Sequence, residues 1–492
     1  MTIKSILLVQ PLGNQTKPGL FLRSCVVEPL GIEYLAGYLR KLGWPADVIH
    51  PIECDKDFRA ILQTQKPDII GYSVYTYALN QSLKWAEIAK EEIAKVINIF
   101  GGYHPTGDAS IVKYPQVDYV IVGEGEKAIA SLLEYLRTGK ESEGLKAVIN
   151  LKSWNSGKKP QVCRLEEEEL EKLSPYRPND ILCATKHYQL SCPPPSKQKA
   201  LAQVLYSRGC KYKCAFCTSL AMWGGNVKWR SPESVKSEIH NLNRKYGTNI
   251  IFFADLCMNS SKKNLISLCR ELRKLRPKIS WWGLFRPEGL DYDVLSQIKE
   301  AGCVKLSIGL DHDFRLESNL NLEGIKLSNK VLKSIELAHK LGMIVRGLIM
   351  IGMPWETQNY LLGLSENLSQ WFDELRIAFC CPFPGTKLFY SAKKMMRNGI
   401  SLSDWDKMDS DRPIFINPKI SADRYLEIRK EMLHRFFWSN KYRERVSNKI
   451  SSNPHLAQSF KEFGEYLISH GMNIPPELIN NRKDHSSNCI CK

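Results

Sequence analysis

Short apolar runs alternate with amphipathic stretches along the first 140 residues. Strand-like runs fall at Ser5–Val9, Ala46–His50, Asp68–Val74, Val96–Phe100 and Asp118–Val122, and helix-period patterns at Gly31–Leu42, Gln81–Lys95 and Glu126–Arg137. Short apolar strands alternating with amphipathic helices imply a parallel sheet covered on both faces. Five units in this length predict a doubly wound, Rossmann-like domain. Residues 140–200 break the rhythm: the acidic run Glu166–Glu169 reads as a short helix, and Pro175, Pro178 and Pro193–Pro195 read as linker.

The alternation resumes with a longer period. Strand candidates are Val204–Ser207, Asn249–Ala254, Ile279–Phe285, Val304–Ile308, Ile344–Ile351 and Glu374–Phe379. The helical patterns that follow them are Pro232–Tyr246, Lys263–Leu275, Tyr292–Ala301, Ser328–Leu341, Thr357–Leu368 and Thr386–Met396. Six β/α units in about 200 residues fit an incomplete barrel, since eight close one in about 250. The remainder is helical and basic, with the amphipathic run Asp423–Trp438. The expected fold is α/β, divided into a Rossmann-like domain (1–145), a linker (146–200), a partial (β/α)6 barrel (201–400) and a helical C-terminal region (401–492).

Composition narrows the class. The chain has 492 residues, is 43% hydrophobic and 25% charged, and carries a net charge of +17, which excludes wholesale disorder. No apolar run approaches the roughly 18 residues of a membrane helix, and the start lacks a signal-peptide pattern, so a cytoplasmic protein is expected. The positive charge is spread rather than blocked, so nucleic acid is not an expected partner, although an RNA-modifying or RNA-binding protein is the reading that this charge would favour. Fifteen cysteines are many for a reducing compartment, and an odd number cannot all pair.

Three of them, Cys210, Cys214 and Cys217, fall within eight residues as CxxxCxxC. The loop follows the first barrel strand, the end at which barrel active sites are built. Structural zinc takes four protein ligands, usually in two separated pairs, and no second CxxC exists. Three thiolates suit a [4Fe–4S] cluster with one iron left open.

This loop, with Phe216 before its last cysteine, resembles that of the radical S-adenosylmethionine (SAM) enzymes. Four further segments resemble family motifs in the same order. They are Phe252–Asp255 followed by Asn259; Ser307–Asp311, with Asp311 in place of the usual glutamate; Leu348–Thr357, a Gly-x-Pro-x-Glu-Thr signature; and Pro382–Leu388, a Pro-x-Pro-Gly-Thr-x-Leu turn. The resemblance implies that Cys210, Cys214 and Cys217 hold the cluster, and that Phe216, Asp255, Gly309, Asp311, Gly352 and Pro354 lie at the SAM site. In the first domain, Glu28–Ala36, Gly101–Thr106 and Asp118–Glu126 resemble the cobalamin-binding domain fused to one class of these enzymes. Ser73, Thr76, Gly101, Gly102, Gly123, Glu124, Gly125 and Glu126 are its implied contacts. The Asp-x-His-x-x-Gly motif that supplies a cobalt-ligating histidine elsewhere is absent, and His104 reads as a loop-structuring residue.

The resemblance implies an enzyme that uses a 5′-deoxyadenosyl radical and methylcobalamin to methylate an unactivated carbon of a small-molecule or peptide natural-product intermediate. A radical SAM cyclase, rearrangement or oxidative tailoring enzyme shares the same architecture. An electron donor such as flavodoxin or ferredoxin is the implied protein partner. Cys257 and the Cys380–Cys381 pair read as buried core, Cys489 and Cys491 as tail. Of Trp281 and Trp282, alternation lets only one face the barrel interior.

Overall fold

In the computed structural model the described residues are 2–13, 28–49, 54–177, 201–310 and 327–452, apart from 393–394, 398–399 and 402, with scattered positions between 460 and 476. Asp311, Cys489 and Cys491 lie outside them.

The N-terminal sheet contains β1 (Ile6–Val9), β2 (Ala46–Val48), β3 (Ile69–Ser73), β4 (Ile97–Gly101), β5 (Tyr119–Ile121) and β6 (Val148–Ile149) in the order β2-β1-β3-β4-β5-β6. All pairs are parallel except β5–β6. Helices Leu30–Lys41, Asp55–Gln65, Leu79–Glu92 and Gly125–Thr138 cover it. The helix Asp55–Gln65 was not anticipated: it buries only Phe58 and Leu62, too few apolar positions to register as a period.

The second sheet contains β7 (Leu201–Val204), β10 (Ile250–Phe253), β11 (Ser280–Phe285), β12 (Cys303–Gly309), β13 (Ile344–Ile351) and β14 (Glu374–Phe379). It is fully parallel in the order β14-β13-β12-β11-β10-β7. Its first strand lies three residues earlier than the Val204–Ser207 expected. Ser207–Gly209 instead forms β8, an antiparallel ribbon with β9 (Val227–Trp229). The one polar residue of 201–206, Gln203, lies inside β7 and does not mark where pairing switches. The helix expected to reach Met396 is described over Lys387–Ala392, and Met395 and Met396 are not helical.

Side chains alternate across this sheet. Ala202, Val204, Ile251, Phe253, Trp281, Leu306, Ile308, Val345, Ile349, Leu375, Ile377 and Phe379 join the core beneath the outer helices. Trp281 packs edge-on to Phe253 and donates its indole N–H to the Ala301 carbonyl at 2.9 Å. Trp282 lies on the other face with Leu201, Ile250 and Phe252.

Residues 146–177 pack closely. Gly123 and Cys163 form a bridge, and Glu167–Glu171 is helical. Arg177, 4% exposed at its side chain, pairs with Glu28 and Glu33 of the first domain and with Glu238 of the barrel helix Pro232–Tyr246. Glu238 also pairs with Arg230. Buried charges of this kind persist only when mutually paired, and here the pairs join the two domains. The C-terminal helix Ala422–Trp438 lies against helix Gln358–Ser369.

Candidate functional site

The order 2-1-3-4-5 reverses direction between β1 and β3, the place where open α/β sheets bind ligands. A cavity of about 310 Å³ opens there. Its walls come from the carboxyl ends of β1, β3, β4 and β5 and, across from them, from the segments following β7 and β10. Ser73, Gly101, Gly102, Gly123, Glu124, Gly125 and Glu126 line it, with Arg208, Gly209 and Trp223 from the barrel side.

These residues do different work. A Cβ at Gly101 would have nothing nearer than Ile121 at 3.9 Å. Gly123 has a φ of +92°, and a Cβ there would lie 2.3 Å from the Cys163 carbonyl oxygen. Its lack of a side chain is therefore required by the chain crossing beside it. Glu124 and Glu126 accept hydrogen bonds from Arg208 at 2.9 and 2.8 Å. Burial alone would lower the basicity of Arg208, but Glu126 and Glu124 more than reverse it and hold the guanidinium charged. Both glutamates are thus committed partners within the cavity wall, and Glu124 also accepts from the Leu165 N–H at 2.5 Å.

Thr76 is buried and does not line the cavity; its hydroxyl lies 3.3 Å from His104 Nδ1. His104 is fully buried, its ring edge-on to Trp405, and burial pushes its pKa down to about 4. The histidine of the Gly-Gly loop therefore faces the protein core. The Trp223 indole N–H is buried without a hydrogen-bond partner, which leaves a donor in the cavity wall for a ligand acceptor. The uncrowded backbone of Gly101 at the cavity wall and this orphaned donor fit a large polar ligand with flat, apolar parts.

Cys210 follows directly on the cavity-lining pair Arg208–Gly209. The three thiols are half-buried and free. Burial pushes Cys210 and Cys214 up, and each is influenced by the other thiols of the loop. Arg286 reaches the Cys214 sulfur at 3.7 Å while lying over the Tyr212 ring at 3.9 Å. A cation at this distance favours the thiolate that metal binding needs. Among the described residues no trio of Cys, His, Asp or Glu side chains is drawn up as a closed metal-ligand set. The assignment of these thiols rests on their spacing, their shared loop and their soft donor chemistry, which fit an iron–sulfur cluster.

The other motif residues brace this loop. Asp255, 1% exposed, accepts from the Tyr206 N–H at 3.0 Å and from the Ser207 N–H and hydroxyl, both at 2.5 Å. Burial raises its pKa to about 6, against the pull of those hydrogen bonds. Asn259 binds the Arg286 N–H and the carbonyls of Arg286 and Glu288 at 2.8–2.9 Å. Leu388 of the Pro-Gly-Thr turn donates its N–H to the Ala215 carbonyl, between two of the cysteines. Glu356 accepts from the N–H groups of Gly352 and Met353 at 2.7 and 3.0 Å, which closes the turn containing Pro354. Phe216 packs against the apolar cluster containing Met353, Cys380 and Cys381. A Cβ at Gly309 would meet nothing within 4 Å. Cys257, Cys380 and Cys381 are buried.

Sequence reasoning missed Arg208, Arg286, Trp223 and Tyr425. Their partners lie up to 84 positions away, as Arg208 shows with Glu124, so no local spacing could reveal them.

Comparison with known proteins gives this arrangement its class. The family model of the B12 binding domain matches residues 24–133, and that of the radical SAM superfamily matches residues 204–367. The chain is accordingly a radical SAM enzyme that carries a B12 binding domain. Its family cofactors are cobalamin, SAM and a [4Fe–4S] cluster.

It is similar to an uncharacterized methyltransferase of Pyrococcus horikoshii, with 26% identity over 78% of this chain and 82% of that protein. It is also similar to the anaerobic magnesium-protoporphyrin IX monomethyl ester cyclase of Rubrivivax gelatinosus, with 25% identity over 84% of this chain and 74% of that one. Among solved structures, a radical SAM methyltransferase from Kitasatospora setae with cobalamin and a [4Fe–4S] cluster bound shares the fold. The TM-score is 0.65 at 15% identity, covering 94% of this chain and 99% of that one. Among the described residues no helix is long and apolar enough to cross a membrane.

Proposed function

We propose that this enzyme transfers a methyl group to an unactivated carbon of a small-molecule or peptide substrate, with cobalamin held in the cavity and the cluster held by Cys210, Cys214 and Cys217. The observation that carries this reading is the shared wall. Arg208 and Gly209 line the cavity, and Cys210 is the next residue. When bound at these sites, the two cofactors supply complementary chemistry, a substrate carbon radical and a methyl group to quench it.

The chain's own contribution is positioning. Arg208 fixes the entry to the cysteine loop against Glu124 and Glu126. Asp255 fixes the backbone just before it, and Leu388 fixes its middle. Arg286 offsets the negative charge of the thiolates. The apolar cluster around Met353, Cys380, Cys381 and Trp405 packs against Phe216 of the cysteine loop, and a dry flank there would protect reactive species from side reactions.

Cyclisation or rearrangement is the second reading, supported by the similarity to the Rubrivivax cyclase. SAM carrying a deuterated methyl group separates the two. Methyl transfer requires label in the product together with 5′-deoxyadenosine and S-adenosylhomocysteine. Product with 5′-deoxyadenosine but neither label nor S-adenosylhomocysteine assigns cyclisation or rearrangement. An electron donor such as flavodoxin or ferredoxin would reduce the cluster in either case.

A further inference from the structure

The barrel interior has two unlike walls. On one side Trp282 stacks on Phe252 with ring centroids 5.3 Å apart. On the other, the interior-facing positions of β12, β13 and β14 include Lys305, Arg346, Glu374 and Arg376. Their assignment follows from strand alternation, because Leu306, Val345, Leu375 and Ile377 join the core under the outer helices. Lys305 reaches both Glu374 oxygens at 3.2–3.3 Å, and Arg346 Nε donates to Glu374 at 2.5 Å. Glu374 is thereby fully engaged. Arg376, two residues further along β14, is half-buried and has no hydrogen bond or ion pair among the described residues.

An unpaired guanidinium taken partly out of water is unfavourable unless something anionic meets it. Its planar fork of donors matches a carboxylate or a phosphoryl group bidentately. Arg376 pairs in register with Leu348, opposite the open space at Gly309. It lies roughly 10 Å before the carboxyl end of β14, at about 3.3 Å per residue. This strand is at the sheet edge opposite β7, the strand that leads through β8 into the cysteine loop.

We propose that the barrel interior receives a substrate with a flat apolar body and a carboxylate or phosphoryl group, and that Arg376 binds that oxyanion. The proposal rests on the radical SAM reading for the entry of substrate into the barrel. The carboxylate of SAM is the other source of the same chemistry, and the test separates them.

The probes are benzoate, its neutral isostere benzamide, and inorganic phosphate, used at constant ionic strength on the reconstituted full chain. Wild type, Arg376→Gln and Arg376→Lys are compared. Benzoate and phosphate should raise the thermal midpoint of wild type in a saturable way, and benzamide should not. Arg376→Gln should weaken the apparent benzoate affinity at least tenfold, and Arg376→Lys should weaken it less. The SAM dissociation constant from equilibrium dialysis should stay within twofold. A variant that weakens SAM and leaves benzoate unchanged overturns the proposal in favour of the SAM carboxylate. Equal binding of benzoate by wild type and both variants, or no binding by wild type, also overturns it. Circular dichroism establishes that the variants fold. Iron content and 5′-deoxyadenosine formation by wild type report separately on the radical SAM reading, so its failure is distinguishable from failure of the anion site.

Discussion

Arg208 and Glu124 lie 2.9 Å apart across 84 positions of sequence. With Glu126 at 2.8 Å they tie the cavity of the first domain to the residue pair preceding Cys210. All three side chains are at most 10% exposed. Removing one partner of such a buried set leaves a charge uncompensated, which costs about 3–5 kcal/mol.

Arg208→Gln should therefore lower stability by that order. It should also lower cobalamin uptake and iron content together, because one side chain borders both sites. Adding Glu124→Gln and Glu126→Gln should restore part of the stability, since coupled residues are not additive. Urea unfolding and cofactor stoichiometry measure both effects. A fall in iron with cobalamin binding unchanged would show that the ion pairs do not link the sites.

Tyr425 acts at the carboxyl end of β13, on the same face of the barrel as the cysteine loop. Its hydroxyl donates to Glu356 at 2.9 Å and accepts from Asn417 Nδ2 at 2.8 Å, and Glu356 holds the Gly352–Met353 turn. The helix Ala422–Trp438 thus supports a turn that the resemblance assigns to SAM, and no hydrogen bond between Tyr425 and a cysteine is present among the described residues. Tyr425→Phe leaves Glu356 short of one buried donor, worth about 1–3 kcal/mol. SAM affinity should fall about tenfold, equivalent to roughly 1.4 kcal/mol, while iron content stays at the wild-type level. Equilibrium dialysis with SAM and an iron assay check the pair of outcomes.

Cys210, Cys214 and Cys217 should be the ligands that reconstitution requires. Alanine at all three should abolish iron and sulfide incorporation. Alanine at Cys257, Cys380 or Cys381, which are buried, should leave it intact while costing stability through the cavity left behind. Quantifying iron and sulfide in each variant decides the assignment.

The first sheet was legible because parallel strands buried on both faces are short apolar runs, as at Ile6–Val9 and Ile69–Ser73, and the second because its strands alternate with amphipathic helices. The cysteine loop was legible because its ligands are near neighbours in sequence. Where pairing changes within an apolar run, as between β7 and β8, the pattern is silent. The expected ligand contacts Glu124 and Glu126 line the cavity and also pair with Arg208, a role that their motif did not reveal. Asp255 likewise holds backbone N–H groups. A motif shows that a position is constrained, but a partner 84 residues away determines what the constraint is.

His104 gives a prediction in pH. Its pKa falls from 6.5 to about 4 because the ring is buried. Between these values the unfolded chain binds more protons than the folded one, so this residue makes stability rise with pH across the window. The difference of about 2.5 units corresponds to roughly 3 kcal/mol. Wild type should lose its stability advantage over His104→Gln as pH falls from 6.5 towards 4. Cobalamin bound to His104→Gln should show an unchanged cob(II)alamin paramagnetic resonance spectrum. Urea midpoints across this range test the first outcome. A nitrogen hyperfine pattern lost in the variant would contradict the second.

Gly101 and Gly123 border the same cavity for different reasons, and alanine separates them. At Gly123 the backbone has φ +92° and the added Cβ would lie 2.3 Å from a carbonyl oxygen of Cys163. Strain and overlap together should cost at least about 2 kcal/mol, lowering the urea midpoint whether or not cobalamin is present. At Gly101 the new methyl meets nothing nearer than 3.9 Å, so stability should stay within about 0.5 kcal/mol of wild type. The methyl instead occupies space at the cavity wall, and cobalamin affinity should fall. Equilibrium unfolding of the apo chain and cobalamin titration by absorbance measure the two quantities independently. If Gly101→Ala binds cobalamin as wild type does, the ligand does not lie against the end of β4.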